Sequence, residues 1–455
     1  MNKRFRTCDL NQPFLLPPSL QDWLPEDHLA RFVADVAEQL DLSAIYASHE
    51  RRDGRGKAAY HPLLMTRLLL YAYCVGKPSS RKIEKATHDE VAFRYLAANQ
   101  HPDHDTIAMF RQQHLETLAE LFVQVLQLCR EAEMVKLGHV ALDGTKVRAQ
   151  ASKRRNLRYA QMEKKEQELS ELVRQMLEEA AQVDAAEDAR YGKGRRGDEL
   201  PEQLATAEKR LAKLREWKQK MEQEARQKAA QAERERAAAG GKPRNEAEKK
   251  RWQRAKKNAE SPAGQINQSD PDSRLMKDSA SGGFLQGYNA QAVVDQRQQI
   301  IVVAEVTEQP NDKEQLGAMV KQAVQNLGAK PARLTADAGY WSEDELKQEV
   351  LQGMEVVVPP DSQSDHKAGQ PLARNAPRSE LAERMRIRLR DPAEKALYAM
   401  RKAIVEPVFG QIKERRGFRR FSLRGLARVR AEWALICLTH NLLKLHRHRT
   451  AVSTA

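Results

Sequence analysis

The strongest constraint on the fold is an abrupt change of composition in the middle of the chain. From about Leu157 to Asn258 the sequence is rich in Glu, Lys, Arg, Gln and Ala and poor in aromatic residues, which is typical of long helices. Apolar residues recur there at coiled-coil a and d positions in two runs. These are Met162, Leu169, Val173, Met176, Ala180 and Val183, then Leu204, Ala207, Leu211, Leu214, Met221 and Ala225.

The stretch between the two runs predicts how they are arranged. Gly192 to Pro201 contains three glycines, an aspartate suited to N-capping and a proline suited to the first turn of a helix. We therefore expect residues 157–260 to form an inserted pair of antiparallel helices, a coiled-coil hairpin. Gly240-Gly241 ends the second helix, and the following stretch, 258–283, has the composition of an irregular polar loop.

Residues 1–132 are predicted to form an all-helical domain. Apolar residues recur at helical spacing from about Asp27 to Cys129. Gly76 to Ser80 breaks one helix, and either serine of that stretch can cap the next. Basic helices behind short turns are typical of helix-turn-helix DNA-binding domains, although any helical bundle contains such turns. The basic residues concerned are Arg81, Lys82, Lys85 and Arg111.

The remaining sequence alternates strand and helix patterns and predicts an α/β domain built from residues 133–156 and 261–455. Its closing helices follow a polar loop at 359–378. The expected order is a strand ending at Asp143, the insertion, a hairpin of 288–294 and 300–306, a helix at 313–327, a strand at 333–337, a helix at 343–351 and a strand at 355–358.

The charge and the cysteine content of the chain indicate which partners and which cell compartment to expect. The chain has 77 Lys and Arg against 63 Asp and Glu, a formal charge of +14, which favours a polyanion such as nucleic acid. Net charge alone fits an ordinary basic protein equally well. The four cysteines form no Cys-x-x-Cys pair, so we expect neither a zinc ribbon nor disulfides, and a reducing cytosol fits best.

Membrane insertion and export are not expected. The N-terminal charges precede no apolar run, and no stretch approaches the ~20 apolar residues of a membrane span. The most apolar late segment, Trp433 to Leu445, is too short and is predicted to be a core helix. A cytoplasmic protein is the expectation.

Two aspartates end predicted strands. Asp143 precedes Gly144, and Asp337 precedes Ala338-Gly339. Ligands gather at the carboxyl ends of strands in α/β folds, so both carboxylates are candidate site residues. For either aspartate taken alone, a strand-end residue that caps a turn is the favoured interpretation.

A third acidic residue, Glu406, lies in a helical pattern near the end of the chain. Pro407 disfavours α geometry at Glu406, so a kink or a helix start is expected there. An exposed salt-bridge ladder is the alternative interpretation of this helix. Four residues share one face by their spacing: Tyr398, Lys402, Glu406 and Lys413.

A dense basic cluster follows this helix, with Phe418 and Phe421 between the charges. Such interleaving suits a DNA channel, although the two aromatic residues could instead only anchor the segment to the core. The basic residues are Lys413, Arg415, Arg416, Arg419, Arg420 and Arg424.

The acidic segments resemble the three motifs of DDE insertion-sequence transposases. They are Ala141-Leu-Asp143-Gly-Thr, Leu334-Thr-Ala-Asp337-Ala-Gly-Tyr and Val405-Glu406-Pro-Val-Phe-Gly-Gln-Ile-Lys413. The family's third motif is Tyr-x2-Arg-x3-Glu-x6-Lys. Here four residues separate Arg401 from Glu406, so either Arg401 or Lys402 can fill the basic position. The helical stretch 79–114 is also similar to the N-terminal domain of these transposases.

The resemblance implies an RNase H-like catalytic core beside an all-helical DNA-binding domain and the coiled-coil insertion. It further implies a nucleoid-associated enzyme of a bacterial mobile element. This enzyme cuts transposon ends and joins the 3′-OH to target DNA. Two Mg²⁺ ions, with Mn²⁺ as a substitute, are expected on Asp143, Asp337 and Glu406, because hard cations prefer oxygen ligands. The partners are double-stranded inverted repeats and target DNA, with a homodimer when bound to DNA.

Roles of the basic residues also follow from the resemblance. Lys413, Tyr398 and Arg401 or Lys402 are expected beside the DNA phosphates at the cut, and the N-terminal helices are expected to contact the transposon end. Two other functions remain open. One is a non-catalytic DNA-binding protein derived from a transposase, and the other is a nuclease of the same fold.

Overall fold

In the computed structural model the described residues are 19–50, 59–191, 202–238, 240, 246–260, 262, 264–278, 282–361 and 379–453. The chain divides into two compact units, one comprising Met1–Ala149 and Gly287–Ala455 and the other comprising Gln150–Gln286. Among the described residues, no helix is both long and apolar enough to cross a membrane.

The N-terminal part of the first unit is helical, as the apolar spacing predicts. Ser79 is the N-cap residue of the fourth helix, and Asp103 caps the sixth by accepting a hydrogen bond from the backbone N–H of Thr106. The helices are α1 (Leu29–Gln39), α2 (Ser43–Glu50), α3 (Pro62–Cys74), α4 (Ser80–Asp89), α5 (Val91–Leu96), α6 (His104–Gln113) and α7 (Leu115–Glu131). Strand β1 (His139–Arg148) follows.

The described residues of the second unit form three long helices rather than the two expected. Its elements are β2 (Asn156–Arg158), α8 (Tyr159–Tyr191), α9 (Glu202–Ala238), α10 (Glu246–Glu260), β3 (Gln265–Asn267) and β4 (Arg274–Lys277). Both α8 and α10 pack against α9, and β2 pairs with β3 in antiparallel fashion. The stretch 258–283 was expected to be an irregular loop, but it contains β3 and β4.

A small apolar core holds this unit together. Met162 from the first predicted run meets Leu214 and Met221 from the second, with Leu157 and Ile266 beside them. Burial of these side chains explains why part of each run is apolar. The predicted turn, Gly192 to Pro201, lies outside the described residues. Coiled-coil geometry therefore stays a prediction.

The sheet of the first unit is mixed. The later strands are β5 (Phe284–Asp295), β6 (Ile301–Thr307), β7 (Arg333–Ala336) and β8 (Glu355–Val357). Within this unit the order is β6-β5-β1-β7-β8, with β1 parallel to β7 and β7 parallel to β8. The pairs β5–β1 and β5–β6 are antiparallel, so the predicted hairpin is confirmed.

The last helices are α11 (Leu316–Leu327), α12 (Glu343–Leu346), α13 (Glu380–Arg390), α14 (Pro392–Gly410) and α15 (Leu426–Ser453). The predicted helix at 343–351 is short, because only α12 and a 3₁₀ turn form there. Helix α15 contains the predicted core segment and packs against α7 and β6. The side chain of Asn441 donates to Ile301 O at 2.8 Å and accepts from Ile301 N at 2.9 Å, which binds α15 to the end of β6.

Helix α14 runs through Pro407, so of the two alternatives expected at Glu406, a kink or a helix start, the helix start is wrong. Proline has no N–H to bond the carbonyl four residues earlier, that of Ala403. The side chain of Gln299 donates to Ala403 O at 2.9 Å and satisfies this carbonyl from outside the helix. A π-helical turn, Gln411–Arg415, continues the helix.

Candidate active site

Asp143 and Asp337 lie next to each other on β1 and just after β7, two neighbouring strands in the interior of the sheet. Leu142 of β1 is paired with Ala336 of the parallel strand β7, and each aspartate is the next residue of its strand or strand end. Strand β1 continues past Asp143 to Arg148, because β5 pairs with it along this length. Asp143 is therefore inside a strand rather than at its end, but strand pairing still brings the two carboxylates together as expected.

An arginine from α14 neutralises Asp143. Nη1 of Arg401 lies 2.8 Å from Oδ2 of Asp143, with 8% and 19% of the two side chains exposed. The guanidinium also lies over the ring of Tyr398, 6.0 Å from its centroid. Both Tyr398 and Arg401 are buried. Contacts with DNA phosphate were expected for these two residues. Instead, Arg401 pairs with Asp143, and Tyr398 lies against Arg401.

The surroundings favour protonation of both aspartates. Burial raises the pKa of Asp143 to about 6, with Arg401 opposing the shift and Asp337 adding to it. Burial also raises the pKa of Asp337, again opposed by Arg401 and reinforced by Asp312. A cation bound beside the two aspartates would favour the charged form of each carboxylate.

A further acidic residue, Asp312, adjoins this pair. Its Oδ1 accepts hydrogen bonds from Asn289 Nδ2 and Gln291 Nε2, both at 2.6 Å, and lies 3.8 Å from Nζ of Lys146. Asn289 and Gln291 are fully buried on β5 and are paired with Lys146 and Gly144 of β1. The only signal in the sequence was the pair of polar residues inside an apolar strand, and it did not point to Asp312.

Two glycines provide the space for these groups. A Cβ atom on Gly144 would lie 2.5 Å from Gln291 Nε2 and 2.9 Å from Asn289 Oδ1, so a side chain there would displace them. A Cβ atom on Gly339 would lie 3.0 Å from Asp337 Oδ1, the oxygen that accepts from the backbone N–H of Gly339 at 2.9 Å. The glycine that follows each aspartate by one or two residues thus allows neighbouring side chains to lie close to the backbone.

The π-helical turn that follows helix α14 is hydrogen-bonded to β1 beyond the aspartates. Lys413 Nζ donates to Thr145 Oγ1 at 2.9 Å and to Lys146 O at 3.1 Å. Glu406 and Lys402 are exposed on the same helix. In the described part of the chain, no group of three or more His, Cys, Asp or Glu side chains is arranged to hold a metal ion. The structure thus brings together Asp143, Asp337 and Arg401, but it does not join Glu406 to them.

The predicted DNA-binding residues fall into two groups. Arg111 is buried and donates to Pro78 O at 2.6 Å, and buried Arg416 donates to Thr439 Oγ1 at 2.8 Å. Their predicted DNA contacts are corrected, since their guanidinium groups stabilise the helical fold. The exposed residues are Arg81, Lys82, Lys85, Arg415, Arg419, Arg420 and Arg424.

The two phenylalanines of the basic cluster are core residues. Phe418 stacks on Tyr73 with ring centroids 5.6 Å apart, and Phe421 contacts Tyr288 and Trp433. The interpretation in which these rings anchor the segment to the core is confirmed.

Comparison with protein families identifies the chain. Residues 265–442 match the family model described as Transposase DDE domain, and residues 18–113 match the model described as Transposase domain (DUF772). Neither the curated proteins nor the solved structures compared with the chain include a match. The chain belongs to the DDE insertion-sequence transposases.

Membership of this family has consequences for the fold and the chemistry. A DDE domain implies an RNase H-like fold, and the mixed sheet flanked by helices is consistent with it. Transposases bind DNA, and those with a DDE domain cut and join it, generally with divalent metal ions. The matched DDE segment contains Asp337 and Glu406 but begins after Asp143 and most of the second unit.

Proposed function

We propose that this transposase cleaves transposon ends and joins the freed 3′-OH to target DNA at a two-metal centre of Asp143, Asp337 and Glu406. The observation that carries the proposal is that Asp143 and Asp337 directly follow Leu142 and Ala336, which are paired on adjacent parallel strands, and that Asp337 lies in the segment that matches the DDE domain. Carboxylates in this position are suited to bind cations together.

The donor set fits hard divalent cations, Mg²⁺ or Mn²⁺. Carboxylate oxygens predominate, and the side-chain oxygen of buried Asn289 beside them has no hydrogen-bond partner among the described residues. When bound, such ions activate the attacking oxygen and stabilise the leaving one. Asp143 and Asp337 would hold them, and the side chain of Glu406 would have to turn from solvent toward the aspartates.

The other residues position the acidic groups or bind the DNA. Arg401 keeps the Asp143 carboxylate in place through their ion pair, and Lys413 holds the end of α14 against β1. We assign the exposed residues Arg415, Arg419 and Arg420 to the phosphates beside the cut, since each neutralised phosphate releases counterions. Exposed Arg81, Lys82 and Lys85 on α4 are assigned to the inverted repeats, and a homodimer would bring two ends together.

Replacement of each carboxylate tests the proposal. Asp143→Asn, Asp337→Asn and Glu406→Gln should each lower cleavage of terminal-repeat DNA by at least ~1000-fold, because each removes a ligand from the same centre. Binding of DNA should change little, since phosphate contacts elsewhere supply most of the affinity. Asp344→Asn is the matched control, because Asp344 is an exposed acidic residue on α12.

The products separate the proposal from its alternatives. Joined strands support transposition, whereas cleavage without joining would indicate a nuclease. Binding without cleavage by the wild-type protein in Mg²⁺ or Mn²⁺ would indicate a non-catalytic DNA-binding protein. Full activity of any of the three variants would remove that carboxylate from the centre.

A further inference from the structure

Asp312 lies close to the proposed metal ligands without belonging to the acidic trio. A Cβ atom on Gly339 would lie 3.0 Å from Asp337 Oδ1 and 3.6 Å from Asp312 Oδ2. The two carboxylate oxygens are therefore no further apart than the sum of these distances. Ions in two-metal centres are about 3.5 to 4 Å apart, so carboxylates at this separation can bind the same pair of ions.

The two oxygens of Asp312 have different surroundings. Oδ1 is fixed by the amides of Asn289 and Gln291, both at 2.6 Å. Oδ2, which lies 3.6 Å from the Cβ point of Gly339, accepts no hydrogen bond from any described residue. Metal-binding carboxylates are commonly held in this way, with hydrogen bonds from outside fixing the ligand's orientation.

A second observation points independently to a cation. Asn289 is fully buried, and its Oδ1 has no hydrogen-bond partner in the described part of the chain. This oxygen lies 2.9 Å from the point that a Cβ of Gly144 would occupy, and Asp312 Oδ1 lies 3.0 Å from the same point. An unsatisfied buried acceptor is unfavourable by about 1 to 3 kcal/mol, so a positive ligand nearby would be stabilising.

The local charge also favours a cation. The carboxylates of Asp143, Asp337 and Asp312 face two positive groups, Arg401 and Lys146. Lys146 is attracted to all three carboxylates. An excess of negative charge in a partly buried site is unfavourable until a cation compensates it.

We infer that Asp312 is a fourth carboxylate of the metal centre, binding through Oδ2 one of the two divalent cations held by the centre. Asn289 and Gln291 are positioning residues that fix the Asp312 carboxylate through its other oxygen. The inference depends on the proposed function, because it assumes a cation at Asp337.

Direct titration of Mn²⁺ into the metal-free full chain tests the inference without relying on activity. Asp312→Asn keeps an oxygen that can accept from Gln291 but removes the charge, so Mn²⁺ affinity should fall at least ~10-fold. Asp337→Asn should cause a similar or larger loss, and the exposed control Asp344→Asn should bind like the wild-type protein. Melting without Mn²⁺ identifies any variant that has failed to fold.

The outcomes distinguish the two proposals. Wild-type affinity in Asp312→Asn, combined with a loss in Asp337→Asn, would overturn the role of Asp312 and leave the proposed function intact. Wild-type affinity in Asp337→Asn, or no Mn²⁺ binding by the wild-type protein, would contradict both.

A second measurement avoids substitutions altogether. Fe²⁺ bound in place of Mn²⁺ generates hydroxyl radicals with ascorbate and peroxide, which cut the nearby backbone. Cuts around residues 143, 337 and 312, all suppressed by excess Mg²⁺, are the expected pattern. Cuts around 143 and 337 without cuts around 312 would overturn the inference.

Discussion

The strand part and the helix part of the proposed metal centre differ in how far they are formed. Asp143 and Asp337 are held by the pairing of β1 with β7 and are enclosed beside Arg401. Glu406 is exposed on α14, next to Pro407. Hydrogen bonds between strands fix backbone positions closely, whereas a side chain on a helix surface can choose among rotamers. We interpret the strand part as preorganised and the helix part as completed when metal and DNA bind.

The largest expected effect on stability comes from comparing two neighbouring residues of α14, one buried and one exposed. Arg401→Ala removes the buried partner of Asp143 and should lower the free energy of unfolding of the metal-free protein by about 3 kcal/mol. The neighbouring change Lys402→Ala removes an exposed charge of the same sign and should alter it by less than about 0.5 kcal/mol. Urea unfolding of both variants measures the difference. Equal effects would mean that Arg401 does not hold the strand part together.

The strand part should also respond to pH. Because burial raises the pKa of Asp143 from 3.8 to about 6, the folded protein binds this proton more tightly than the unfolded chain does. The folded state then holds more protons between about pH 4 and pH 6, so the contribution of Asp143 to stability falls as pH rises through this window. Arg401, Asp337 and Lys146 are the charged groups that bear on this titration.

Asp143→Asn abolishes this titration. Relative to the wild-type protein, the metal-free variant should therefore gain stability as pH rises from 4 to 7, by on the order of 3 kcal/mol. The change with pH is the informative quantity, because loss of the ion pair with Arg401 shifts the whole curve. Urea unfolding at several pH values measures it. Asp344→Asn, an exposed substitution, should show no comparable trend, and a flat difference for Asp143→Asn would contradict the buried carboxylate.

Features that depend on local sequence patterns could be predicted, whereas features that depend on contacts between residues remote in sequence could not. The helices of the N-terminal part, the strands of the first unit and the place of Asp337 at the end of a strand depend on local apolar patterns, and they were predicted correctly. Asp143 was expected at a strand end but lies inside β1, and α10, β3 and β4 were not predicted. Asp312 was missed because its closeness to Asp337 depends on cross-strand register and on side chains of β5. The alternative of a helix start at Glu406 was wrong because the donor that compensates for Pro407, Gln299, is remote in sequence.

The burial of individual basic side chains could not be predicted from the sequence either. In the sequence, Arg111 and Arg416 are basic residues of helical or basic stretches, as are the exposed residues Lys85 and Arg415. Their guanidinium groups are nevertheless buried, because each satisfies carbonyl or hydroxyl groups at contacts between helices. Composition alone cannot separate a DNA contact from such a structural arginine.

The most direct test of the central claim is a crystal structure of the full chain with Mn²⁺ and terminal-repeat DNA, with the metals located by anomalous scattering. The account predicts two Mn²⁺ ions about 4 Å apart, bound by Asp143 and Asp337, with the Glu406 side chain turned inward as a ligand. Ions bound at the aspartates while Glu406 still faces solvent would contradict the shared centre, and ions bound elsewhere would contradict the assignment of all three carboxylates.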